Sequence, residues 1–424
     1  MKKTLSTILV LLFFIHTSTI AQDTLKLNPS EIEAIFLKNN IDLIFQKLNI
    51  SKSESSLIQS KYWPNPTLEI SEVNLWKNQS VEEGNPIISN WGKTTQLAIS
   101  IEQAILTAGK RKKSILLQEL NVISEELVLR DLLRNLRRDL RNLIIEIIAL
   151  QQEETIFKNQ TEAIQQLTNA YNNQFQKGNI SKSEFVRLKA EEISLQQSLK
   201  ITRQALFEKN VELKNYLQIG NSEFLFILSE IQIPLKSYAS FDLNNFYEKA
   251  IINNPELLYL KNEEKKAQVN WDFQKALKTP DLKLSINYDR NSNIMKNFIG
   301  FGVAMDLPVF DRNKGNINIA RFEMEQSQLK SQKNNIDIKN NIAKVLYQFQ
   351  SAQEMYELIE KDFDNDLDQL LYSHIKNFKQ RNISMLEFID FLNTYTEHKT
   401  ILINTKKDIN QYYEDLQFII GEDL

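Results

Sequence analysis

The sequence predicts a mainly α-helical fold with a small membrane β-barrel, built from long coiled-coil helical hairpins and four strands per protomer. Helix-breaking residues are rare, with 9 Gly and 8 Pro in 424 residues, and one order of helix and strand patterns occurs twice. Short segments also alternate apolar residues with polar or small ones. Few breaks indicate long regular elements, and the alternation indicates strands with one apolar face.

The start of the chain has the features of an export signal. Lys2 and Lys3 precede an apolar run over residues 8–15, and small residues end at Ala21. This pattern predicts a signal peptide over residues 1–21. No later stretch approaches the roughly 18 apolar residues that a spanning helix needs. A mature chain that enters a membrane must therefore cross it with strands.

Composition excludes several classes of function. The chain has 51 basic and 54 acidic residues, which gives no general attraction for nucleic acid. It has no cysteine, and beyond the signal peptide only His374 and His398 remain as histidines. We find no nucleophile beside a base, no phosphate-binding loop and no ligand cluster, so we expect no enzyme activity, no cofactor and no metal site.

The chain is a tandem duplication of one unit: two helices, two strands and a long helical hairpin. In the first copy, Asn28 and Pro29 begin a short helix, and residues 63–66 (Trp-Pro-Asn-Pro) end the second helix. The same order returns later in the chain, where residues 253–257 correspond to 39–43 and residues 280–284 correspond to 66–70. We predict a first repeat over 22–219, an irregular linker over 220–240 and a second repeat over 241–424. A longer loop is expected around residues 77–90 of the first copy.

The predicted strands have one apolar and one polar or small face. Residues 282–289, 299–306 and 96–102 alternate cleanly, whereas the apolar set of 67–76 shifts after Ile70, as at a bulge. Such strands fit a soluble sandwich or a membrane barrel with an aqueous lumen. The export signal and the helical architecture favour the barrel.

Each copy also contains a long helical pattern. The chain lacks Pro and Gly from about Ser114 to Gly178, and again from about Asn316 to the second hairpin tip. Roughly 60 residues of helix would extend for about 90–100 Å. Apolar residues recur at intervals of three and four, as in coiled coils.

The hairpin tips repeat a motif of Phe, three residues, Asn-Ile-Ser, two residues and Glu-Phe, at 175–185 and 378–388. The Ser and Glu have the spacing of a helix capping box. Gly178 suits a left-handed residue, and Asn382 is expected to take that role in the second copy. Besides capping, we expect the tips to form a docking surface, whose residues are Phe175, Gly178, Asn179, Ser181, Glu184, Phe378, Arg381, Asn382, Ser384 and Glu387.

An acidic run precedes the second tip: Asp362, Asp364, Asp366 and Asp368. Helical spacing puts Asp362 with Asp366 on one stripe and Asp364 with Asp368 on another. One pair could line a narrow aperture that favours cations. A solvated acidic face is the alternative.

Several motifs resemble those of the TolC family of outer membrane efflux channels, and in particular its CzcC-like, heavy-metal branch. They are Trp63-Pro64-Asn65-Pro66, Gln103-x-x-Leu106-x-x-Gly109-Lys110-Arg111, and residues 307–317 (Leu-Pro-Val-Phe-Asp-Arg-Asn-Lys-Gly-Asn-Ile), in which Asn316 is placed to cap a helix. The chain departs from the family pattern at Thr107-Ala108, where a second glycine is usual, and it has no lipid-bearing cysteine.

The resemblance implies a TolC-like homotrimer in the outer membrane with a long periplasmic tunnel. Four strands cannot enclose an aqueous lumen, whereas around 12 from three chains can. The implied partners are outer membrane lipid, a periplasmic adaptor (membrane fusion protein) and an inner-membrane RND-type pump, and the implied cargo is a heavy-metal cation. A drug efflux or type I secretion channel is an alternative with the same fold. A periplasmic coiled-coil adaptor or a structural protein is an alternative of another class.

Overall fold

The computed structural model describes residues 24–71, 97–220, 224–231, 233, 242–291, 295–359 and 363–423. The first copy and the segment after it contain β1 (Thr24–Leu27), α1 (Pro29–Asn39), α2 (Ile41–Ser60), β2 (Thr67–Ser71), β3 (Ala98–Ile105), α3 (Lys110–Gln176), α4 (Lys182–Leu217) and β4 (Phe224–Ile227). The second copy contains α5 (Leu243–Asn253), α6 (Pro255–Leu277), β5 (Leu282–Asn291), β6 (Lys296–Met305), α7 (Lys314–Glu357), α8 (Phe363–Lys379) and α9 (Met385–Ile420).

Both halves contain two helices, two strands and a long helical hairpin in the same order. Helix α1 begins as predicted, because Asn28 caps it in a complete capping box with Pro29 at its first turn. Helix α6 likewise begins with an asparagine cap and a proline: Asn254 accepts hydrogen bonds from the N–H groups of Glu256 and Leu257, and Pro255 lies in the first turn. The predicted bulge after Ile70 and the loop at 77–90 lie outside the described residues.

Two predictions of regular structure were wrong. The segment 220–240 is not irregular throughout, because β4 lies in it and pairs in parallel with β1, which the sequence analysis did not predict. The second long helix is divided: α7 ends at Glu357 and α8 begins at Phe363. Aspartate is a poor residue for helix interiors but favourable in a first turn, where Asp364 and Asp366 now lie. Helix α3, by contrast, is a single helix of 67 residues.

The described residues form two compact units. The strand unit takes its described residues from 44–132 and 248–340, and the tip unit takes them from 24–43, 133–247 and 341–423. In the tip unit, β1 and β4 form a two-stranded sheet and both hairpin tips are present. None of the described helices is both long enough and apolar enough to cross a membrane.

The strand unit contains a four-stranded antiparallel sheet in the order β2-β3-β5-β6, so the two copies meet at the β3–β5 pair. Its register aligns apolar residues in rows across all four strands: Leu68, Ile101, Ile286 and Phe301 form one row, and Ile70, Ile99, Tyr288 and Ile299 form the next. Polar or small residues fill the rows between them, such as Glu69, Ser100, Asn287 and Gly300. The apolar face is exposed, with Phe301 at 84%.

Candidate functional site

The two hairpin tips have the same backbone turn. Gly178 has φ +74° and Arg381 has φ +62°, and their N–H groups donate to the carbonyls of Phe175 and Phe378 at 2.9 and 3.0 Å. The left-handed residue of the second tip is therefore Arg381, and the prediction of Asn382 was wrong. The turn needs its left-handed residue at the position that Gly178 fills in the first copy, whatever residue stands there. Arginine adopts this conformation at a cost of about 1 kcal/mol.

Capping boxes begin the helix after each tip, as predicted. Ser181 accepts a hydrogen bond from the N–H of Glu184 at 3.2 Å, and its own N–H donates to the Glu184 carboxylate at 3.0 Å. The corresponding distances at Ser384 and Glu387 are 3.2 and 2.8 Å. Hydrogen bonds from Ser384 hold the pKa of the exposed Glu387 carboxyl below its ordinary value. The Glu387 carboxylate is therefore charged at neutral pH.

The phenylalanines that open and close each motif stack on each other. Phe175 and Phe185 lie 5.6 Å apart between ring centroids, and Phe378 and Phe388 lie 4.5 Å apart. Phe378 also stacks on Tyr171 of α3 at 5.2 Å. The first pair is half-buried, whereas Phe378 and Phe388 are each 1% exposed. The motif therefore closes both hairpins, but only the second pair enters a shared core.

This tip core joins both hairpins. Its other buried members are Ile164, Leu167, Leu188, Leu195, Met385 and Leu392. Sequence reasoning missed Tyr171, although it precedes Phe175 by one helical turn and so lies on the same face. Above the core, the polar residues of the tip motif are exposed: Gly178, Asn179, Ser181, Glu184, Arg381, Asn382, Ser384 and Glu387. The tips can thus offer a rigid polar surface to a partner.

The acidic run lies where α8 begins, and Asp362 is outside the described residues. Asp364 and Asp368 share a stripe and both form ion pairs with Lys399 of α9, the second at 2.9 Å. Tyr395 donates a hydrogen bond to Asp368 at 2.8 Å, and burial together with this bond raises the pKa of its hydroxyl. Asp366 is exposed. One lysine therefore offsets part of the charge of the Asp364 and Asp368 pair.

The motif residues in β3 and in the turn after it serve the fold of the strand unit. The Gln103 amide donates to the carbonyl of Pro64 at 2.9 Å. Lys110 is buried and forms an ion pair with Asp281 at 2.8 Å. The Arg111 guanidinium lies 4.8 Å from the centre of the Trp63 ring. These contacts connect the turn after β3 to the segments that precede β2 and β5.

The turn after β3 contains two consecutive left-handed residues, Ala108 at φ +52° and Gly109 at φ +68°. A Cβ is unfavourable in this conformation, so the side chain of Ala108 strains the turn. We expect Ala108→Gly to raise the free energy of unfolding by about 0.5–1 kcal/mol. Thermal unfolding in detergent would measure this, with Ala104→Gly in strand β3 as a control that should destabilise. A lower midpoint for Ala108→Gly would contradict the explanation.

The corresponding turn of the second copy uses asparagine. Asn313 has φ +55°, precedes the first residue of α7 and accepts the N–H of Ile317 at 3.0 Å through its carbonyl. Its side-chain amide donates to the carbonyl of Gln274 at 2.9 Å. The prediction that Asn316 caps this helix was wrong, because α7 has already begun at Lys314.

Across the described ranges, no group of three or more His, Asp or Glu side chains is placed to hold a metal ion. The chain has no cysteine that could contribute a thiolate ligand. The sites described above consist of helix caps, aromatic stacks and ion pairs.

Comparison with known proteins gives consistent matches. Residues 246–372 match the sequence model of the family described as outer membrane efflux protein. The cobalt-zinc-cadmium resistance protein CzcC of Cupriavidus metallidurans is 21% identical over 356 residues, covering 83% of this chain and 80% of CzcC. These matches confirm the resemblance drawn from the motifs.

Solved structures share the fold. CusC, whose crystal structures concern transmembrane channel formation, aligns with a TM-score of 0.73 at 15% identity, over 93% of this chain and 92% of that chain. The Campylobacter jejuni CmeC outer membrane channel aligns with a TM-score of 0.74 at 13% identity, over 94% and 86%. The chain therefore has the fold of these channels.

Proposed function

We propose that this chain is a member of the outer membrane efflux protein family, is the exit duct of a tripartite efflux system and passes heavy-metal cations out of the cell. The observation that carries the proposal is the register of the four-stranded sheet. Its rows of apolar residues form one exposed face, and its polar rows form the other. Such a sheet fits lipid on one side and an aqueous lumen on the other.

The same sheet supports a homotrimer. In the described part of the chain, β2 and β6 each pair on one side only, so both edges are available to further strands. Three copies would supply around 12 strands, enough to enclose a lumen. Helix α7 adds an exposed apolar stripe at helical spacing: Ile319, Phe322, Leu329 and Ile336 are between 51% and 64% exposed. In a trimer this stripe would pack against a neighbouring copy.

The partners in this proposal are a periplasmic adaptor at the hairpin tips and, through it, an inner-membrane pump. The tips suit docking because their polar groups are held by backbone turns and capping boxes above an aromatic core. Preorganised groups lose little conformational entropy when a partner binds. The adaptor would therefore recognise both tips together.

The proposed cargo is a heavy-metal cation, with support from the similarity to CzcC. We expect a strain that lacks this gene to grow poorly with cobalt, zinc or cadmium, and wild-type protein to restore growth. Light scattering of the detergent-extracted protein should give a trimer. Unchanged metal tolerance with new sensitivity to dyes or detergents would instead indicate a drug channel. Recovery as a soluble monomer without detergent would favour an adaptor or a structural protein.

We also propose that the acidic run shapes an aperture for cations. Because Lys399 offsets part of the charge of Asp364 and Asp368, Lys399→Gln should raise cation selectivity in single-channel recordings, while the double change Asp364→Asn with Asp368→Asn should lower it. Lys376→Gln, an exposed site on α8, is the control. If neither change alters selectivity, the run is an ordinary solvated face.

A further inference from the structure

Basic residues are concentrated where the helices of the strand unit meet the sheet. The segments 57–66, 103–115, 272–283 and 306–318 contain ten Lys and Arg residues and four Asp residues. The chain as a whole has a net charge of −3, so these junctions are basic against an acidic background. The basic residues lie near the C-terminal ends of α2 and α6, which precede β2 and β5, and near the N-terminal ends of α3 and α7, which follow β3 and β6.

Three of the four aspartates are already paired with lysine. Asp281 pairs with Lys110 at 2.8 Å, Asp272 with Lys275 at 2.6 Å, and Asp306 with Lys283 at 3.5 Å. The fourth, Asp311, accepts the N–H of Asn313. Seven other cations have no carboxylate within ion-pair distance among the residues that the structure describes. One of them, Lys113, donates to the carbonyl of Ala108 at 2.8 Å. We call the other six the basic collar: Lys61, Arg111, Lys112, Lys278, Arg312 and Lys314.

Large apolar side chains are exposed beside the collar. Tyr62 and Trp63 are 65% and 58% exposed, and Leu307 and Phe310 are 69% and fully exposed. Trp63 also carries the Arg111 guanidinium over its ring. Aromatic rings next to cations are typical of the boundary between lipid chains and headgroups, where the ring meets the apolar region and the charge meets water.

The collar continues directly from the apolar face of the sheet. Leu307 comes two residues after Met305, the last residue of β6, so strand alternation assigns it to the apolar side of the sheet. Lys278 and Lys61 precede β5 and β2. An acidic soluble protein bound at the collar would complement its positive charge but would leave the adjoining aromatic residues and the apolar face of the sheet exposed to water. A lipid leaflet covers both, because its headgroups adjoin its chains.

We propose that the basic collar binds the anionic phospholipid headgroups of the membrane leaflet that borders the helices. This rests on the proposed function only in that the sheet must insert into a membrane. Each cation near an anionic membrane surface strengthens binding by about fivefold, and the effect weakens within a Debye length as salt rises. Collar residues on four helix ends would hold the strand unit at a set depth in the membrane.

The experiment compares lipids at the protein surface. Wild-type protein is reconstituted in phosphatidylcholine with increasing brominated phosphatidylglycerol, or with brominated phosphatidylcholine, and quenching of tryptophan fluorescence gives the relative affinity of the two lipids. The Trp63 ring lies 4.8 Å from the guanidinium of the collar residue Arg111, so its fluorescence reports on lipid at the collar. We expect roughly fivefold preference for phosphatidylglycerol at low salt, falling at high salt. The variant with Lys112→Gln, Lys278→Gln, Arg312→Gln and Lys314→Gln should fall below about twofold.

A matched control loses the same charge elsewhere in the strand unit, through Lys52→Gln, Lys261→Gln, Lys265→Gln and Lys330→Gln, all at exposed helix positions. It should keep the preference. Equal affinity for both lipids in wild type, or an equal loss in both variants, would overturn the proposal. Displacement by free glycerol phosphate at low millimolar concentration would also overturn it, by indicating a phosphate site. A separate flotation assay with the vesicles tests whether the protein inserts into the membrane. Failure to float with the vesicles would contradict the channel proposal, whereas insertion without a lipid preference would contradict the collar proposal alone.

Discussion

Replacing Phe378 with alanine is expected to destabilise the hairpin tips by about 3–5 kcal/mol, as for other fully buried phenylalanines. Its ring stacks on Phe388 of its own hairpin and on Tyr171 of the first hairpin, so the substitution removes a contact that joins the two. Hydrogen exchange of the tip amides should rise, and crosslinking to the adaptor and metal efflux should fall together. The proposed trimer should persist, since the tip core consists of contacts within one chain.

The first copy supplies the matched control. Phe175→Ala removes the equivalent ring, but Phe175 and Phe185 are only half-buried, so about 1 kcal/mol is expected. Phe378→Leu should recover most of the stability without the stack. If both alanine variants retained wild-type exchange, crosslinking and efflux, the aromatic core would not support docking. If Phe378→Ala raised the hydrogen exchange of the tips but left efflux unchanged, docking would not depend on the rigidity of the tips.

Replacing Asp281 with alanine should destabilise the strand unit by about 3 kcal/mol. It leaves the buried Lys110 ammonium, whose side chain is 6% exposed, without its carboxylate partner. Lys110→Met should cost less, because it removes the charge and leaves Asp281 the N–H of Thr107 at 2.8 Å. Thermal unfolding in detergent would rank the variants. Equal or reversed costs would mean that the pair contributes little.

The same pair predicts a pH dependence. Burial raises the pKa of the Asp281 carboxyl, but hydrogen bonds from Lys110 and Thr107 outweigh it and hold the pKa below the ordinary value of 3.8. The stabilisation is therefore present above pH 3.8 and is lost as pH falls through the lower, folded-state pKa. Below that pH, wild type and Asp281→Ala should converge in stability. A difference that persists there would assign the effect to packing.

These contacts indicate that the motif residues serve the fold of the chain. Gln103, Lys110 and Arg111 suggested the heavy-metal branch, yet each of them connects β3 or the turn after it to another segment of the strand unit. Residues whose atoms are already used in this way do not select an ion. Substrate choice must therefore be tested in cells, with metals and drugs compared in the same deletion strain.

The local elements could be predicted because their signals are local. Asn28 with Pro29, and Ser181 with Glu184, begin helices through hydrogen bonds within a single turn. The alternation of strands β5 and β6 and the unbroken length of α3 likewise depend on residues close in the chain. The repeated order of elements was predicted from these local signals. Strands β5 and β6 pair over the segments in which the alternation was predicted.

Tertiary structure decided what depends on residues far apart in sequence. Strand β4 forms because β1 lies alongside it, and nothing within Phe224–Ile227 indicates that partner. Arg381 takes the left-handed position because the turn geometry requires it there, although asparagine is intrinsically better suited. Asp364 and Asp368 pair with Lys399 only when α8 packs on α9.

The sequence by itself determined the elements, because short-range hydrogen bonds and periodicity specify them. Only the folded chain decided which charges are paired and which phenylalanines are buried, because pairing and burial are properties of neighbours in space.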